Sequence, residues 1–388
     1  MLRTEPYRLL FPLGIAGAVI GIGIWIPYFL WPQVFPYPGQ GHAVIQIQGF
    51  LLCFIFGFLT TMLPKILGVA PLDPFSYLAF PILLVGIMIA SLVNAPTLAQ
   101  TFHLLLLVNF LVFIIRRFPK RKTNPPPNFL FIGVAMLADV VGTLVKIGSL
   151  SGYLSGESLR VGSLLQYQAF PLLLILGVGG FLIPKLLANG PIDPKTLRSS
   201  NGASMTMPVI FCSLFLASFA IEILGLMKGY GNISLQIAYA LRASVWIWFL
   251  MTEIRIHKVS GKLPPYLRAA RISLCVMAVG MIMPVFRPNY LLAWEHVIFL
   301  SGFLRLTLSI ASRVLAAHAG QLDILTMHGK KVRFYGMLIV FAMMTRIATE
   351  IWPKGHWMHL AIASGFALSA IFIWGKIYYP LLKIYPGR

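Results

Sequence analysis

Apolar residues run almost unbroken along this chain, and the interruptions are short clusters of proline, glycine and basic residues. Twelve apolar runs stand out, at 9–31, 43–63, 76–94, 97–115, 128–148, 163–184, 204–226, 233–254, 268–286, 291–315, 334–351 and 357–380. Each approaches or exceeds the ~20 residues an α-helix needs to cross the hydrocarbon core of a bilayer. The runs are continuously apolar and do not alternate every second residue, which excludes a transmembrane β-barrel. The pattern predicts an all-α polytopic membrane protein of twelve transmembrane helices, forming a single integral membrane domain over residues 1–388.

The second run opens an internal repeat. Residues 42–74 and 162–194 align without a gap at a separation of 120. Gln46, Gln48, Phe50, Pro64, Lys65, Leu67, Pro71, Asp73 and Pro74 recur as Gln166, Gln168, Phe170, Pro184, Lys185, Leu187, Pro191, Asp193 and Pro194. These nine are among twelve ungapped identities in 29 positions, which point to duplication of a helical unit. His42 opens the first copy and has no counterpart in the second. In both copies Pro-Lys is expected to close the helix before a turn.

Composition agrees with the pattern. Hydrophobic residues make up 58% of the chain and charged residues 11%, with a mean hydropathy of +0.84, outside the range of soluble domains. Cys53, Cys212 and Cys275 fall on three different runs without CxxC spacing and read as core residues. The first run is longer than a signal-peptide apolar segment and lacks a cleavage site, so it reads as a retained helix. The net charge of +21 raises nucleic acid as a partner, but the placement of the charge argues against it. The amino terminus, the connections that follow even-numbered helices and the carboxyl terminus hold most of the 31 Lys and Arg, and the opposite connections hold few. This asymmetry predicts both termini on the cytoplasmic side. The bilayer, including anionic lipid near Arg116–Lys122 and Lys330–Arg333, is then the partner of the basic loops, and no nucleic acid is expected.

Charges inside the runs are few. Asp139 falls near the middle of helix five, where a carboxylate must be neutral, paired or near water. Glu222 and Arg242, on helices seven and eight, are within reach of an ion pair, with a proton relay as the other reading. The paired glutamines occur in both copies and suit a packing role common to both. Five of the eight histidines, His42, His103, His296, His356 and His359, fall toward the outer side. A haem between two helices needs a neutral imidazole from each at similar depth, and His42 and His296 meet that condition. The alternative is that interfacial histidines reach for water.

Two resemblances bear on this choice. His42, Gly57-Phe58, Leu63-Pro64 and Gly68-Val69-Ala70-Pro71-Leu72-Asp73-Pro74-Phe75 resemble helix two of subunit I of the haem-copper oxidases, where a histidine binds low-spin haem. Helix ten of that family carries HxHxxxS, to which Trp294-Glu295-His296 and Ser301 are similar, with Trp294 in place of the high-spin haem ligand. Gln166 and Gln168 stand where copper-binding histidines would be expected.

A resemblance over nearly the whole chain is to the NnrS family, twelve-helix bacterial membrane proteins associated with nitric oxide stress and containing haem and copper. Gly179-Gly180-Phe181, Ile183-Pro184 and Asn189 resemble its GGRxIPxxxxN segment. His296, Ser312-Arg313 and Ala317-His318-Ala319-Gly320 resemble its H…TR…GHTG segment with spacings kept, and 367–382 resembles its last helix. The departures are His42-Ala43-Val44-Ile45 for HAHE, Phe181 for the arginine of GGR, and no histidine in helix nine.

The resemblance implies a haem-copper-oxidase-like bundle in a bacterial inner membrane and a role in the nitric oxide response or respiratory nitrogen metabolism. It implies one haem b retained on His42 and His296, and a copper site whose ligands are incompletely matched. Arg346 and Lys354 are favoured over Arg313 as partners of haem propionates. His103 and His318 remain as further metal candidates, although His318 beside Gly320 also suits a helix end. An electron donor or redox partner subunit follows from a haem that only transfers electrons. The competing expectation is a haem-free transporter or channel using Asp139, Glu222 and Arg242.

Overall fold

A computed structural model describes residues 5–187, 204–229, 231–258 and 262–384, and the described residues contain helices and connections without a strand. Twelve helices are long and apolar enough to cross a membrane. They are α1 (Tyr7–Leu30), α2 (Gly39–Leu67), α3 (Pro74–Leu92), α4 (Pro96–Lys120), α5 (Pro127–Leu150), α6 (Gly156–Leu187), α7 (Thr206–Lys228), α8 (Gly231–Thr252), α9 (Pro265–Phe286), α10 (Pro288–His318), α11 (Gly329–Ile351) and α12 (Pro353–Lys383). Each coincides with one of the twelve apolar runs. Large apolar side chains such as Ile82, Ile115, Leu137 and Phe372 point outward, as a lipid-facing surface requires. The chain is therefore a multi-pass membrane protein.

Two compact units divide the helices. One contains Met1–Leu9 and Phe56–Val259; the other contains Leu10–Ile55 and Ser260–Arg388. The chain passes from one to the other inside α2. In the first unit α3 packs along α4, α7 along α8, and α5 against both α4 and α6. In the second, α11 packs along α12, α9 along α10, and the end of α1 against α12.

Helix enclosure is uneven. In α2, 78% of the best apolar window is buried, and in α10, 72%, against 33–56% in the other ten. The helices that carry His42 and His296 are thus the least lipid-exposed. Both contain π-helical turns, Ile45–Leu51 in α2, three residues past His42, and Val297–Leu304 in α10, directly after His296. Helix α6 has two, Leu165–Ala169 and Ile175–Gly179. The first of these starts 120 residues after the π turn of α2, so the repeat extends to a backbone irregularity. An inserted residue of this kind breaks the regular hydrogen-bond ladder and persists where surrounding packing holds it.

The Pro-Lys corner differs from the expectation. Pro64 and Pro184 lie inside their helices, which continue to Leu67 and Leu187. In the turn before Pro64, the Thr60 and Thr61 hydroxyls donate to the carbonyls of Phe56 and Gly57, the kind of local compensation by which membrane helices accommodate proline. Helix α2 then stops at Gly68, whose φ of +66° is left-handed.

Asp-Pro has a separate task. Asp73 caps α3, accepting from the Ser76 amide and hydroxyl at 2.9 Å each, and Pro74 fills the first helical position. Arg117, from the end of α4, donates to the carbonyls of Ala70 and Pro71 and lies 3.5 Å from Asp73. Partial burial alone would raise the Asp73 carboxyl, but Ser76 and Arg117 hold it below the ordinary carboxylate value. The equivalent Pro191, Asp193 and Pro194 lie outside the described residues.

Candidate functional site

His42 and His296 belong to the same compact unit, and each is fixed through the same ring atom. His42 Nδ1 donates to the carbonyl of Gly21 on α1 at 2.7 Å; His296 Nδ1 donates to the carbonyl of Leu292, one turn back on α10, also at 2.7 Å. A carbonyl only accepts, so each Nδ1 carries the proton and each Nε2 presents a lone pair. Neither Nε2 makes a hydrogen bond among the described residues. Metal-bound imidazoles are oriented in this way, with the distal N–H spent on a carbonyl.

The contact between α1 and α2 depends on a glycine. A Cβ on Gly21 would lie 2.9 Å from Ile45 Cγ2 and would also meet the Gln46 amide. Gln46 donates to the Ala18 carbonyl at 3.3 Å, so two side chains of α2 bond to the backbone of α1 across this gap. Trp25 stands edge-on to the His42 ring at 5.4 Å between centroids, and Phe299 to the His296 ring at 5.6 Å. Trp25 also meets Tyr28, Tyr37 and Trp357, which closes the His42 end of the unit with an aromatic cluster.

Arg346, on α11, is the cation of this region. Its charge acts on both imidazoles, and the two imidazoles are electrostatic neighbours of each other. The guanidinium is anchored by Thr349 and by Glu350 at 3.1 Å. Thr349 in turn receives the His356 ring N–H on its carbonyl at 3.2 Å. Lys354 occupies an exposed turn, Pro353–Gly355.

The other histidines are used elsewhere. His103 Nε2 faces both oxygens of Asp139 at 3.1 Å, within the first unit, and both residues are 1% exposed. His318 is the last residue of α10 and donates from Nδ1 to the Val314 carbonyl at 3.0 Å; Gly320 follows with φ +69°. Twenty-two residues separate it from His296, roughly 33 Å of helix at 1.5 Å per residue. Among the described residues no three His, Cys, Asp or Glu side chains gather as a metal-binding group.

The second copy of the repeat is filled. At the position of His42 stands Gly162, where a Cβ would come within 2.6 Å of Lys146 Cγ and 2.8 Å of the Gly142 carbonyl. Helices α5 and α6 pack too closely there for any side chain. Gln166 donates to Gln100 and Thr143 at 2.8 Å each. Gln168 accepts from Tyr239 at 3.0 Å and from Arg242 at 3.2 Å. Arg242 and Glu222 form the ion pair that their positions suggested, at 2.7 Å, and Ser218 receives the Arg242 Nε–H at 3.3 Å. Lys146 donates to Tyr167 at 2.6 Å and lies over its ring. Sequence reasoning passed over Lys146, Tyr167 and Gln100; the i, i+4 and i, i+7 spacing of Thr143 and Lys146 from Asp139 was the available signal.

The two imidazoles, each tied by a backbone carbonyl, lie on the two most enclosed of the twelve helices. Among curated proteins no match to the chain is found. The family comparison matches residues 1–383 of 388, and the chain belongs to the NnrS protein family.

Proposed function

We propose that the chain is a haem-binding protein of a bacterial inner membrane that acts in the nitric oxide response or in respiratory nitrogen metabolism. The observation that carries this reading is the imidazole pair, each ring held by a carbonyl at Nδ1 and unengaged at Nε2. Haem b fits that donor set, since two neutral imidazoles from different helices are what its iron takes. With two histidine ligands, such a haem supplies one-electron transfer rather than gas capture.

The chain's own residues prepare the site. The Gly21 and Leu292 carbonyls fix the tautomer and orientation of each ring and increase its basicity. Arg346 provides positive charge beside both rings, for which a haem carboxylate is the natural counterpart. Lys354 is assigned a lesser share in that role, from its exposed turn. Trp25 and Phe299 supply apolar walls that keep water from the rings. No step is assigned to copper. Electrons must then come from a donor or a partner subunit in the same bilayer. Both termini are assigned to the cytoplasmic side and the bundle to the architecture of haem-copper oxidase subunit I, as one integral membrane domain. His103 is assigned to its Asp139 pair and His318 to the helix end.

An absorption spectrum of the purified protein, expressed with ample haem, tests the reading. A Soret band is expected. Its absence would favour a haem-free transporter or channel in which Asp139, Glu222 and Arg242 line the path.

A further inference from the structure

The first unit holds a polar column that the imidazole pair does not use, built where α4, α5 and α6 meet. Its deepest layer is His103 Nε2 facing both oxygens of Asp139 at 3.1 Å. One turn along α5, Gln166 donates to Thr143 and to Gln100 at 2.8 Å each, and Gln100 stands three residues before His103 on α4. The Thr143 hydroxyl donates to the Asp139 carbonyl at 2.7 Å, so hydrogen bonds and helix turns join these residues in a closed ring. In the next layer Lys146 donates to Tyr167, the chain neighbour of Gln166, at 2.6 Å.

Helix geometry gives the depth of the column. Lys146 lies four residues and Asp139 eleven residues from the Leu150 end of α5, roughly 6 and 16 Å along the axis. The column therefore runs from near one face to the middle of a hydrocarbon core about 30 Å thick. There it stops. From Leu130 to Ala138 α5 has no polar side chain, and α4 offers only Asn109 between Leu104 and Ile115.

Buried ionisable groups in a membrane mark paths for ions or protons, and two observations select the proton. First, the helices are too close for a larger ion: a Cβ on Gly162 would lie 2.6 Å from Lys146 Cγ and 2.8 Å from the Gly142 carbonyl, so not even a methyl group fits beside Lys146. Second, His103 is not a satisfied core histidine. With the Nε2 proton directed at the carboxylate, Nδ1 carries a bare lone pair, and it is among the buried side-chain atoms without a hydrogen-bond partner. Imidazole is the side chain suited to take up and release a proton, and Asp139 is already placed to face an imidazolium. The titratable groups on neighbouring elements are engaged elsewhere. Glu222 of α7 pairs with Arg242 of α8, Tyr239 of α8 donates to Gln168, and Glu157 and Arg160 are exposed in the first turns of α6.

We propose that His103 and Asp139 form a proton-binding site loaded from the Leu150 end of α5 through Tyr167 and Lys146. A proton leaves the Lys146 ammonium, passes the Thr143 hydroxyl and reaches the Asp139 carboxylate. Asp139 hands it to the imidazole once the ring turns its bare nitrogen to the carboxyl, leaving an imidazolium paired with a carboxylate. Lys146 regains a proton by way of Tyr167. The site lies wholly in the first unit and binds its proton whether or not haem is present.

Infrared spectra of the full-length protein in liposomes, carrying isotope-labelled histidine, are recorded through a rapid drop in pH across neutrality. Exposed histidines such as His257 protonate in every variant and serve as the reference. His103→Gln is expected to lose one histidine's share of the imidazolium band. Lys146→Met and Tyr167→Phe should keep that share but slow its appearance, by about a hundredfold for Lys146→Met, the usual contribution of a positioned proton donor. If His103→Gln fails to fold, these two variants carry the test, because they leave His103 and Asp139 in place. An imidazolium band of unchanged size in folded His103→Gln, or an unchanged rate in both Lys146→Met and Tyr167→Phe, would overturn the assignment and leave the column a packing device.

Discussion

The two copies of the repeat share glutamines, a π turn and a proline-lysine pair, yet one offers a ligand and the other a sealed core. In the first copy α2 approaches α1 at Gly21, a glycine on the neighbouring helix, which leaves α2 free to present an imidazole. In the second copy the glycine is on the repeat itself: Gly162 faces Gly142, so α5 and α6 close over the equivalent position. The polar groups follow suit. Gln166 and Gln168 are tied into Gln100, Thr143, Tyr239 and Arg242, while the Nε2 atoms of His42 and His296 are left unengaged among the described residues. The two copies keep similar helix sequences, and in the copy that presents an imidazole the small residue stands on the partner helix.

The largest expected effect concerns the sealed copy. Removing one partner of the buried Arg242–Glu222 pair, as in Glu222→Gln, should cost about 3–5 kcal/mol, because a buried guanidinium is left uncompensated. Thermal unfolding in detergent reads this cost. The double variant Glu222→Met with Arg242→Met should recover most of it, and any haem spectrum should stay unchanged in both. A spectrum lost together with the pair would mean that the second copy also holds the cofactor.

Next in size is the close approach itself. Gly162→Ala must push α5 and α6 apart and should cost about 1–3 kcal/mol by overpacking. Gly21→Ala should cost a similar amount but differ in kind, because it moves α1 away from His42 and disturbs the imidazole. The comparison fails if both substitutions alter stability alone, or if Gly162→Ala is neutral.

The smallest effect lies in the part the copies share. Asp73→Ala removes the cap of α3 and should cost about 1 kcal/mol. The Asp73 carboxyl is held below its ordinary value, so its contribution is complete above the unfolded-state pKa of about 3.9 and is lost as pH falls through the lower folded value. Stability of the wild type and Asp73→Ala proteins should therefore converge on acidification below pH ~4. A gap that persists there would assign the cap to something other than the ionised carboxylate.

Much of this was legible in the chain because lipid imposes long continuous apolar helices, which no other arrangement of 388 residues at this hydropathy satisfies. The Glu222–Arg242 pair and the special standing of His42 were also readable, the latter from the missing counterpart in the repeat. Other features depend on backbone register that side-chain identity does not encode. The π turns follow ordinary-looking sequences, IQIQGFL and VIFLSGFL. The carbonyls of Gly21 and Leu292 became visible as anchors only once the helices were packed. Pro64 misled as a helix end because proline breaks soluble helices more reliably than membrane ones.

The most direct test of the central claim replaces His42 by glycine and asks whether its imidazole can be returned from solution. The account predicts that His42→Gly loses the low-spin haem spectrum, that millimolar imidazole restores it, and that His103→Gly, which breaks the Asp139 pair and lowers stability, leaves the spectrum of the folded protein unchanged. A low-spin spectrum that survives His42→Gly without imidazole would contradict the account and remove His42 from the iron.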